Sequence, residues 1–396
     1  MLVSGIVSEF NPFHRGHASL ISRTRMEGAT HVVAVMSGNF VQRGEPAILS
    51  KWARTRQALA NGADLVIELP LPWALSGAET FAFGGVSLLD ALSVDMLSFG
   101  SECGRIDELR KAAQALSSFR FHHAVRNEMK SGATFARARQ NAVSQIDGEA
   151  SRLLREPNNI LAIEYLKALN RLQSKAVPFT IQRLGAAHDA QAAVDEIASA
   201  SQIRMCMHAG EDFAKWMPNS AAEIALREIE AGSAPVSIAA AERAVLAKLR
   251  SMNREEFAAL PDISEGLENR VYEASRKACS LDELYSLIKS KRYTHARIRR
   301  IVLSAFLGLD SSMNKGIPPY LRVLGFNKRG TEILHLLKPS AKLPVVTNTS
   351  DILSLDNDGK SMIELESRAT DLYSLCSPKA APCGSDRTTG ILSISS

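Results

Sequence analysis

The sequence predicts an α/β fold, in which a parallel sheet is followed by a mainly α-helical domain. Short β-branched apolar runs alternate with amphipathic helical segments over the first half of the chain, and beyond residue 212 only helical periodicity continues. Alternating strands and helices imply βαβ units with right-handed crossovers. We therefore expect a sheet domain over 1–212, a helical domain over 213–375 and, because its composition is rich in Ser, Thr, Gly and Pro, a disordered tail over 376–396.

The elements follow in order along the chain. Ser50 is placed to cap a helix that Gly62 ends, Pro157 suits the first turn of another, and residues 320–326 are expected to link two later helices. The predicted strands are 2–7, 30–36, 64–69, 95–99 and 179–184. The predicted helices of the sheet domain are 18–25, 51–61, 79–92, a helical insertion over 106–155, one from 157 and one that either Ser199 or Ser201 can cap, which runs to about Ala209. Ligands bind at the carboxyl ends of such strands, so His14, Gly38 and Gly100 are expected to converge on one crevice.

The first predicted strand leads into the turn Asn11-Pro12-Phe13-His14-Arg15-Gly16-His17. A helix starting near Gly16 would point backbone N–H groups and its positive dipole end at a ligand above the turn. Gly16 would let a phosphate approach, and two imidazoles can donate hydrogen bonds to it or act as cations. The alternative is a pair of surface histidines beside a turn. The pattern resembles the His-x-Gly-His signature of the nucleotidylyltransferase superfamily, which implies a Rossmann-like sheet.

The composition bounds the class of protein. The 396 residues carry a formal net charge of +5, and no apolar run is long enough to span a membrane. The N-terminus lacks the basic region of a signal peptide, and five scattered cysteines fit a reducing compartment. We therefore expect a cytoplasmic protein without a membrane partner, and we assign no oligomeric state.

A basic run lies in the predicted helical domain. Residues 289–300 contain six Lys or Arg in twelve positions, no acid, and Tyr293. A solvated helix end is one interpretation, and contact with a nucleic-acid backbone is the other. We assign RNA binding to Lys291, Arg292, Arg297 and Arg300, and we expect no helix of this run to face the crevice of the sheet.

Taken together, several motifs resemble one family, the tRNA(Met) cytidine acetate ligases. The tetrad departs from the pattern we associate with the family by the bulky Arg15, where a small or polar residue is expected. The matching stretches are Glu9–His17, Met36–Gly44, Phe99–Glu102, Pro157–Leu161, Ser264–Arg270 and Lys291–Thr294.

The resemblance implies a two-step reaction with ATP as the cofactor. Acetate and ATP would give acetyl-adenylate, and the wobble cytidine of elongator tRNA(Met) would then accept the acetyl group. The resemblance implies catalytic roles for His14 and His17, with Gly100, Asn158 and Arg183 contacting the nucleotide. Mg²⁺ on the polyphosphate is compatible with this chemistry, although no carboxylate pair in the sequence stands out as its ligand. The ATP cradle implied by the resemblance consists of Val7, Ser8, Glu9, Phe10, Asn11, Pro12, Phe13, His14, Arg15, Gly16, His17, Ala18, Ser19 and Leu20.

Two other functions are compatible with parts of the sequence. One is a small-molecule nucleotidylyltransferase, against which the large basic helical domain argues. The other is a non-catalytic RNA-binding protein with an inactive nucleotide fold, against which the intact His14, Gly16 and His17 argue. Pyrophosphate release from ATP, with and without acetate, separates the three.

Overall fold

The computed structural model describes residues 1–132, 135–146, 148–183, 198–264, 266–337 and 341–394. Within these ranges the strands are β1 Val3–Ser8, β2 His31–Ser37, β3 Phe40–Val41, β4 Glu45–Pro46, β5 Leu65–Leu69, β6 Met96–Ser101, β7 Val177–Gln182, β8 Leu321–Asn327, β9 Val345–Val346 and β10 Leu392–Ile394. The helices are α1 Arg15–Met26, α2 Lys51–Ala60, α3 Leu71–Ala74, α4 Ala78–Ala91, α5 Ile106–Ser117, α6 Phe119–Lys130, α7 Phe135–Ile146, α8 Gly148–Leu153, α9 Pro157–Leu172, α10 Ala200–Ala209, α11 Asn219–Glu230, α12 Glu242–Ser251, α13 Arg254–Ala258, α14 Leu267–Lys277, α15 Leu281–Ile288, α16 His295–Leu307, α17 Lys328–Leu337, α18 Thr349–Leu353, α19 Asn357–Ser374 and α20 Ser385–Thr388.

The central sheet has the strand order β10-β8-β5-β2-β1-β6-β7, with β9 beside β8. The five strands from the first half of the chain are mutually parallel, which confirms the predicted α/β class with a parallel sheet. The chain winds outwards in both directions from β1, as in a Rossmann-like fold. The predicted strand over 179–184 is β7, and Leu184 lies outside the described residues.

Alternating residues of the inner strands pack against helices on both faces of the sheet. Val33 and Val35 belong to one core with α4 and α9, whereas Val32, Ala34 and Met36 belong to a second core with α1 and α2. Side chains on a strand point alternately to opposite faces, so an unbroken apolar run requires cover on both. The run His31–Ser37 is buried at every position, as that arrangement demands. No helix among the described residues is long and apolar enough to cross a membrane.

The sequence predicted a sheet formed by residues 1–212 alone, but the sheet also contains strands from later in the chain. Residues 320–326 were expected to link two helices, but β8 pairs with β5 in antiparallel orientation and extends the sheet. Helical periodicity dominates around this segment and hides one strand, whose residues Leu321, Val323 and Leu324 are buried by tertiary packing.

The prediction of a disordered tail over 376–396 is also wrong for its described part. Cys376 is buried, α20 packs on α19, and β10 pairs in parallel with β8. The reason is one charged residue within a sequence of disorder-like composition. Asp386 is 4% exposed and contacts two buried cations, with its carboxylate 2.5 Å from Lys51 Nζ and 2.8 Å from the Arg322 guanidinium.

These residues belong to a buried charge cluster, defined here as Lys51, Glu68, Arg322, Glu366 and Asp386. Glu68 accepts from Lys51 Nζ at 2.7 Å and lies 3.2 Å from Arg322. Burial, and then the nearby Glu68, raise the pKa of Glu366 to about 8, so this carboxyl is mostly protonated at pH 7. Two cations therefore face two carboxylates, and the cluster is close to neutral. Removing one partner of a buried ion pair is strongly destabilising, because it leaves the other charge buried without compensation.

Replacing Asp386 tests how far the tail stabilises the sheet. We expect Asp386→Asn to lower the free energy of unfolding by about 3–5 kcal/mol, because Lys51 and Arg322 lose a buried partner. Urea unfolding followed by circular dichroism measures the change. The matched control is Asp90→Asn, whose partner Lys342 is 61% exposed, with an expected loss below about 1 kcal/mol. Equal losses in the two variants would contradict this account of the tail.

Candidate active site

A cavity of about 760 Å³ opens beyond the carboxyl ends of β1 and β6. It is the place where ligands bind in sheets of this type. Of the seventeen residues predicted to contact ATP, eleven line it, namely Val7, Ser8, Glu9, Phe10, Asn11, His14, His17, Leu20, Gly100, Asn158 and Arg183. The predicted residues that do not line it are Pro12, Phe13, Arg15, Gly16, Ala18 and Ser19, and Gly38 does not line it either.

His14 and His17 form the N-terminal cap of α1. The Nδ1 atom of His14 accepts from the backbone N–H of Gly16 at 3.0 Å, and Nδ1 of His17 accepts from the backbone N–H of His14 at 3.2 Å. This reciprocal pattern is a capping box in which imidazoles replace the usual hydroxyl and carboxylate. The two rings stack with centroids 3.8 Å apart, which fixes them as one unit.

The hydrogen bonds define which nitrogen of each ring carries the proton. Since both Nδ1 atoms accept, the neutral rings hold their proton on Nε2, and this N–H is what each ring offers to the cavity. Burial, and then the nearby Arg183, lower the pKa of His14 to about 3, and burial followed by His14 lowers the pKa of His17. At pH 7 the pair therefore provides two neutral donors, and the cationic form that the sequence left open is disfavoured.

Gly16 was predicted to let a phosphate approach the backbone, but in the structure it has a different role. A Cβ atom at this position would lie 2.9 Å from Cε1 and 3.0 Å from Nδ1 of His14. Gly16 thus makes room for the capping ring, and its N–H is already used by that ring. The sequence suggested that this N–H would point at a ligand, whereas the structure assigns donation toward the cavity to the imidazoles.

A buried arginine holds the strand ends that carry the site. Arg54 of α2 donates to the carbonyl oxygens of Glu9 at 2.6 Å, of Ser37 at 3.1 Å and of Gly38. Glu9 directly follows β1, Ser37 ends β2 and Gly38 follows it, so one side chain joins the ends of these two strands. The position of the turn containing His14 therefore depends on α2.

The predicted nucleotide contact Asn158 is positioned by a carboxylate that the sequence analysis did not name as a site residue. Glu102 accepts from the Asn158 side chain at 2.6 Å and from the backbone N–H of Asn159 at 2.7 Å. A carboxylate at the N-terminus of α9 is favoured by the helix dipole. A Cβ at Gly100 would lie 3.1 Å from Cγ of Arg183, so glycine leaves space for that arginine as well as for a ligand.

Further charged groups face the cavity besides the residues predicted to contact ATP. Arg43 and Glu45 come from the hairpin β3–β4, Arg204 from α10, and Arg300 from α16. Arg204 donates to the carbonyl oxygen of Asn11 at 2.9 Å, which ties α10 to the turn. Of the two serines that could cap α10, Ser199 is the one that does so. Arg43 stands in the Met36–Gly44 motif, and its position after a strand was the available signal.

The basic run does not form a single surface. Arg300 lines the cavity and donates to Asp262 Oδ2 at 2.6 Å, while Arg297 donates to the carbonyl oxygen of Asp262 and to Ser264 Oγ, each at 2.7 Å. The expectation that no helix of the run faces the crevice is wrong. The start of α16 faces the crevice because the hairpin β3–β4 packs closely on this helix. A Cβ at Gly44 would lie 2.5 Å from the backbone nitrogen of Arg300.

Lys291 and Arg292 lie apart from Arg300, which faces the first cavity. Both are exposed, and they line a second, open cavity of about 440 Å³ together with Arg270 and Tyr293. Arg297 lies over the ring of Tyr293, with 5.1 Å between the guanidinium carbon and the ring centroid. This second cavity is electropositive and open to a large ligand.

The arrangement in the first cavity is that of a phosphate site: two fixed imidazole donors at a helix N-terminus, surrounded by arginines, in a Rossmann-like fold. Such a fold and site define a nucleotidylyltransferase of the His-x-Gly-His type. The family model described as "HIGH Nucleotidyl Transferase" matches residues 1–387. The chain belongs to this family and, within it, to the tRNA(Met) cytidine acetate ligases.

The relatives that support this assignment cover nearly the whole chain. The tRNA(Met) cytidine acetate ligase of Thermoanaerobacter sp. (strain X514) is 42% identical, with 98% of each chain covered. That of Acetivibrio thermocellus is 38% identical, over 99% of this chain and all of its own. The crystal structure of Thermotoga maritima TmcAL bound with alpha-thio ATP is 34% identical and matches both chains in full with a TM-score of 0.93. Its apo form matches with a TM-score of 0.95.

The neutral state of the imidazole pair can be tested by NMR. Because the pKa values of His14 and His17 are lowered, we expect their ring resonances to stay constant from pH 8 to pH 5, with the proton on Nε2. In the urea-unfolded chain the histidines should titrate near pH 6.5. His14→Asn and His17→Gln variants assign the two signals. An inflection between pH 6 and 7 in the ring signal of His14 or His17 of the folded protein would contradict the neutral pair.

Proposed function

We propose that this protein is an ATP-dependent ligase that activates acetate as acetyl-adenylate and transfers the acetyl group to tRNA. The acceptor would be the exocyclic amine of the wobble cytidine of elongator tRNA(Met), and the product N4-acetylcytidine. The observation that carries the proposal is the stacked His14–His17 pair, which offers two neutral N–H donors to a cavity lined by arginines. Since its tRNA substrate would be cytoplasmic, we propose the same location for the enzyme.

The first step would join acetate to the α-phosphate. A carboxylate oxygen of acetate attacks the α-phosphorus of ATP, and the bond to the pyrophosphate oxygen breaks. Negative charge gathers on phosphate oxygens in the transition state, where fixed donors are most effective. The Nε2–H groups of His14 and His17 would donate to these oxygens. Arg183, Arg204 and Arg300 would supply the positive field on the opposite walls of the cavity.

The second step would transfer the acetyl group. The cytidine amine attacks the acetyl carbon, AMP leaves with the bonding electron pair, and the amine loses one proton. Direct attack on free acetate would have to expel an oxide ion, and AMP is a much better leaving group. This difference is the reason why acetate must be activated. We propose that Lys291 and Arg292, beside the second cavity, bind phosphates of the tRNA.

Mg²⁺ would enter as part of the ATP substrate. Among the residues that the structure describes, no group of three or more His, Cys, Asp or Glu side chains could hold a metal ion. The phosphate oxygens would therefore be its main ligands, and the protein would bind the complex through the imidazoles and arginines.

The double variant His14→Asn/His17→Gln tests the catalytic role of the imidazoles. Asn at the N-cap and Gln three residues later can maintain a capping box, so α1 should stay folded while both Nε2–H donors are lost. We expect acetate-dependent pyrophosphate release to fall at least 100-fold, since one lost donor of this kind typically costs 10²–10³ in rate. A continuous pyrophosphate assay measures the rate, and thermal unfolding verifies the fold.

The same assay separates the proposed function from the other two. Pyrophosphate release that is independent of acetate would indicate transfer to another small acceptor, and no release by the wild-type protein would indicate a non-catalytic protein. A double variant with near wild-type activity would refute the role of the imidazoles. His123→Gln, on the exposed side of α6, is the matched histidine control and should leave pyrophosphate release unchanged.

A second pair of variants tests the division of the basic run. Lys291→Gln/Arg292→Gln should leave acetate-dependent pyrophosphate release unchanged and reduce acetyl transfer at subsaturating tRNA at least tenfold, because these side chains lie outside the ATP cavity. Arg300→Gln should reduce pyrophosphate release even without tRNA, since Arg300 lines that cavity. If Lys291→Gln/Arg292→Gln lowers both activities equally, or neither, the proposed tRNA contact is wrong.

A further inference from the structure

We propose that the outer face of α6, formed by Phe119, His123, Arg126 and Lys130, is a second RNA-binding surface that contacts the tRNA substrate. The inference rests on the proposed tRNA-modifying function and adds a surface outside the basic run. The helical insertion that contains α6 was predicted from the sequence without any function. Its geometry, its charge and its place at the cavity each support a role in RNA binding.

The four residues form one stripe along the helix. They stand at positions i, i+4, i+7 and i+11, which share one side of an α-helix. The opposite side packs inward through Phe121 and Val125, which are 7% exposed. The one acid of α6, Glu128, accepts from Asn141 and Gln145 of α7 and so lies away from the stripe.

Phe119 is the most unusual member of the stripe. Its side chain is 82% exposed, as high as any large apolar side chain of the described residues. It lies beside His123, with ring centroids 6.2 Å apart and 26° between the ring planes. An exposed aromatic ring on the same helix face as Arg126 and Lys130 has the composition of a platform on which an unpaired base stacks.

The charge of the chain is concentrated in the insertion. Residues 106–155 contain nine Lys and Arg against five Asp and Glu, whereas the whole chain contains 47 against 42. The insertion therefore holds an excess of four positive charges out of the net charge of +5, and the rest of the chain is nearly balanced. A polyanion would be attracted to the insertion more than to the average surface.

The insertion also starts and ends at the candidate active site. It leaves the sheet after Glu102 and returns at Glu156 and Pro157, and all three residues line the ATP cavity. Hydrogen bonds from Asn158 and Asn159 to Glu102 fasten the two ends together. A tRNA whose reacting cytidine enters the cavity would therefore pass close to the base of these helices. The second cavity, with Lys291 and Arg292, would contact another part of the same molecule.

Neutralising variants of the full-length protein test the surface. We expect Arg126→Gln/Lys130→Gln to weaken binding of an elongator tRNA(Met) transcript at least tenfold and to reduce the slope of log affinity against log salt by roughly 2. Phe119→Ala should weaken binding at least about fivefold through lost stacking. Fluorescence anisotropy over a salt series measures both effects. Pyrophosphate release from ATP and acetate without tRNA should stay unchanged, which verifies the fold.

The control for the charged residues lies beside β8, on the other side of the sheet from β6 and β7. Lys328 and Arg329 are exposed and follow β8, whose end pairs with the start of β5, so Lys328→Gln/Arg329→Gln should leave tRNA binding unchanged. Met26, which is 82% exposed at the end of α1, provides the control Met26→Ala for Phe119. If the wild type binds and acetylates tRNA while the α6 variants bind as the controls do, this inference fails and the proposed function stands. A wild type that binds no tRNA overturns both.

Discussion

The structure depends on the contact between buried Lys51 and the two carboxylates of Glu68 and Asp386. Lys51 begins α2, Glu68 lies in β5 and Asp386 lies in α20, so one ammonium group joins three distant parts of the chain. Its backbone N–H also donates to Asn39 Oδ1 at 2.8 Å, and the Asn39 amide donates to Thr370. Asn39 opens the hairpin that brings Arg43 to the cavity. The buried Lys51 thus supports the wall of the site that contains Arg43.

Local patterns were sufficient to predict the part of the fold that follows from local physics. Apolar β-branched runs predicted all five parallel strands, and Ser50, Ser199 and Pro157 marked helix starts that the structure confirms. The His-x-Gly-His turn located the cavity, because residues at the carboxyl end of β1 must lie at one edge of the sheet. Eleven of the seventeen residues predicted to contact ATP line it. The remaining six belong to the turn or to the start of α1, where Phe13 is buried in the core and Ser19 is exposed to solvent.

The rest required contacts between residues far apart in the sequence. Leu321–Asn327 becomes a strand because β5 offers it an open edge, and nothing in its own periodicity distinguishes it from a link between helices. The tail is ordered by one aspartate that has two buried cations to neutralise. Arg300 and Arg292 are neighbours in one charge run, yet packing of the hairpin against α16 sends them to different cavities. The composition of the basic run gives the number of its charges, but it does not determine which cavity each side chain faces.

The position of Asp386 near the end of the sequence has a consequence for biosynthesis. A ribosome releases Lys51, Glu68 and the His14 turn long before it translates residue 386. Until then the sheet has an open edge at β8, and the lysine has only part of its counter-charge. The nascent chain therefore lacks the Asp386 contacts of Lys51 and Arg322 until residues 385–394 have been translated. A chain that stops before this segment would leave the Lys51 ammonium with Glu68 as its ion-pair partner and without the carboxylate of Asp386.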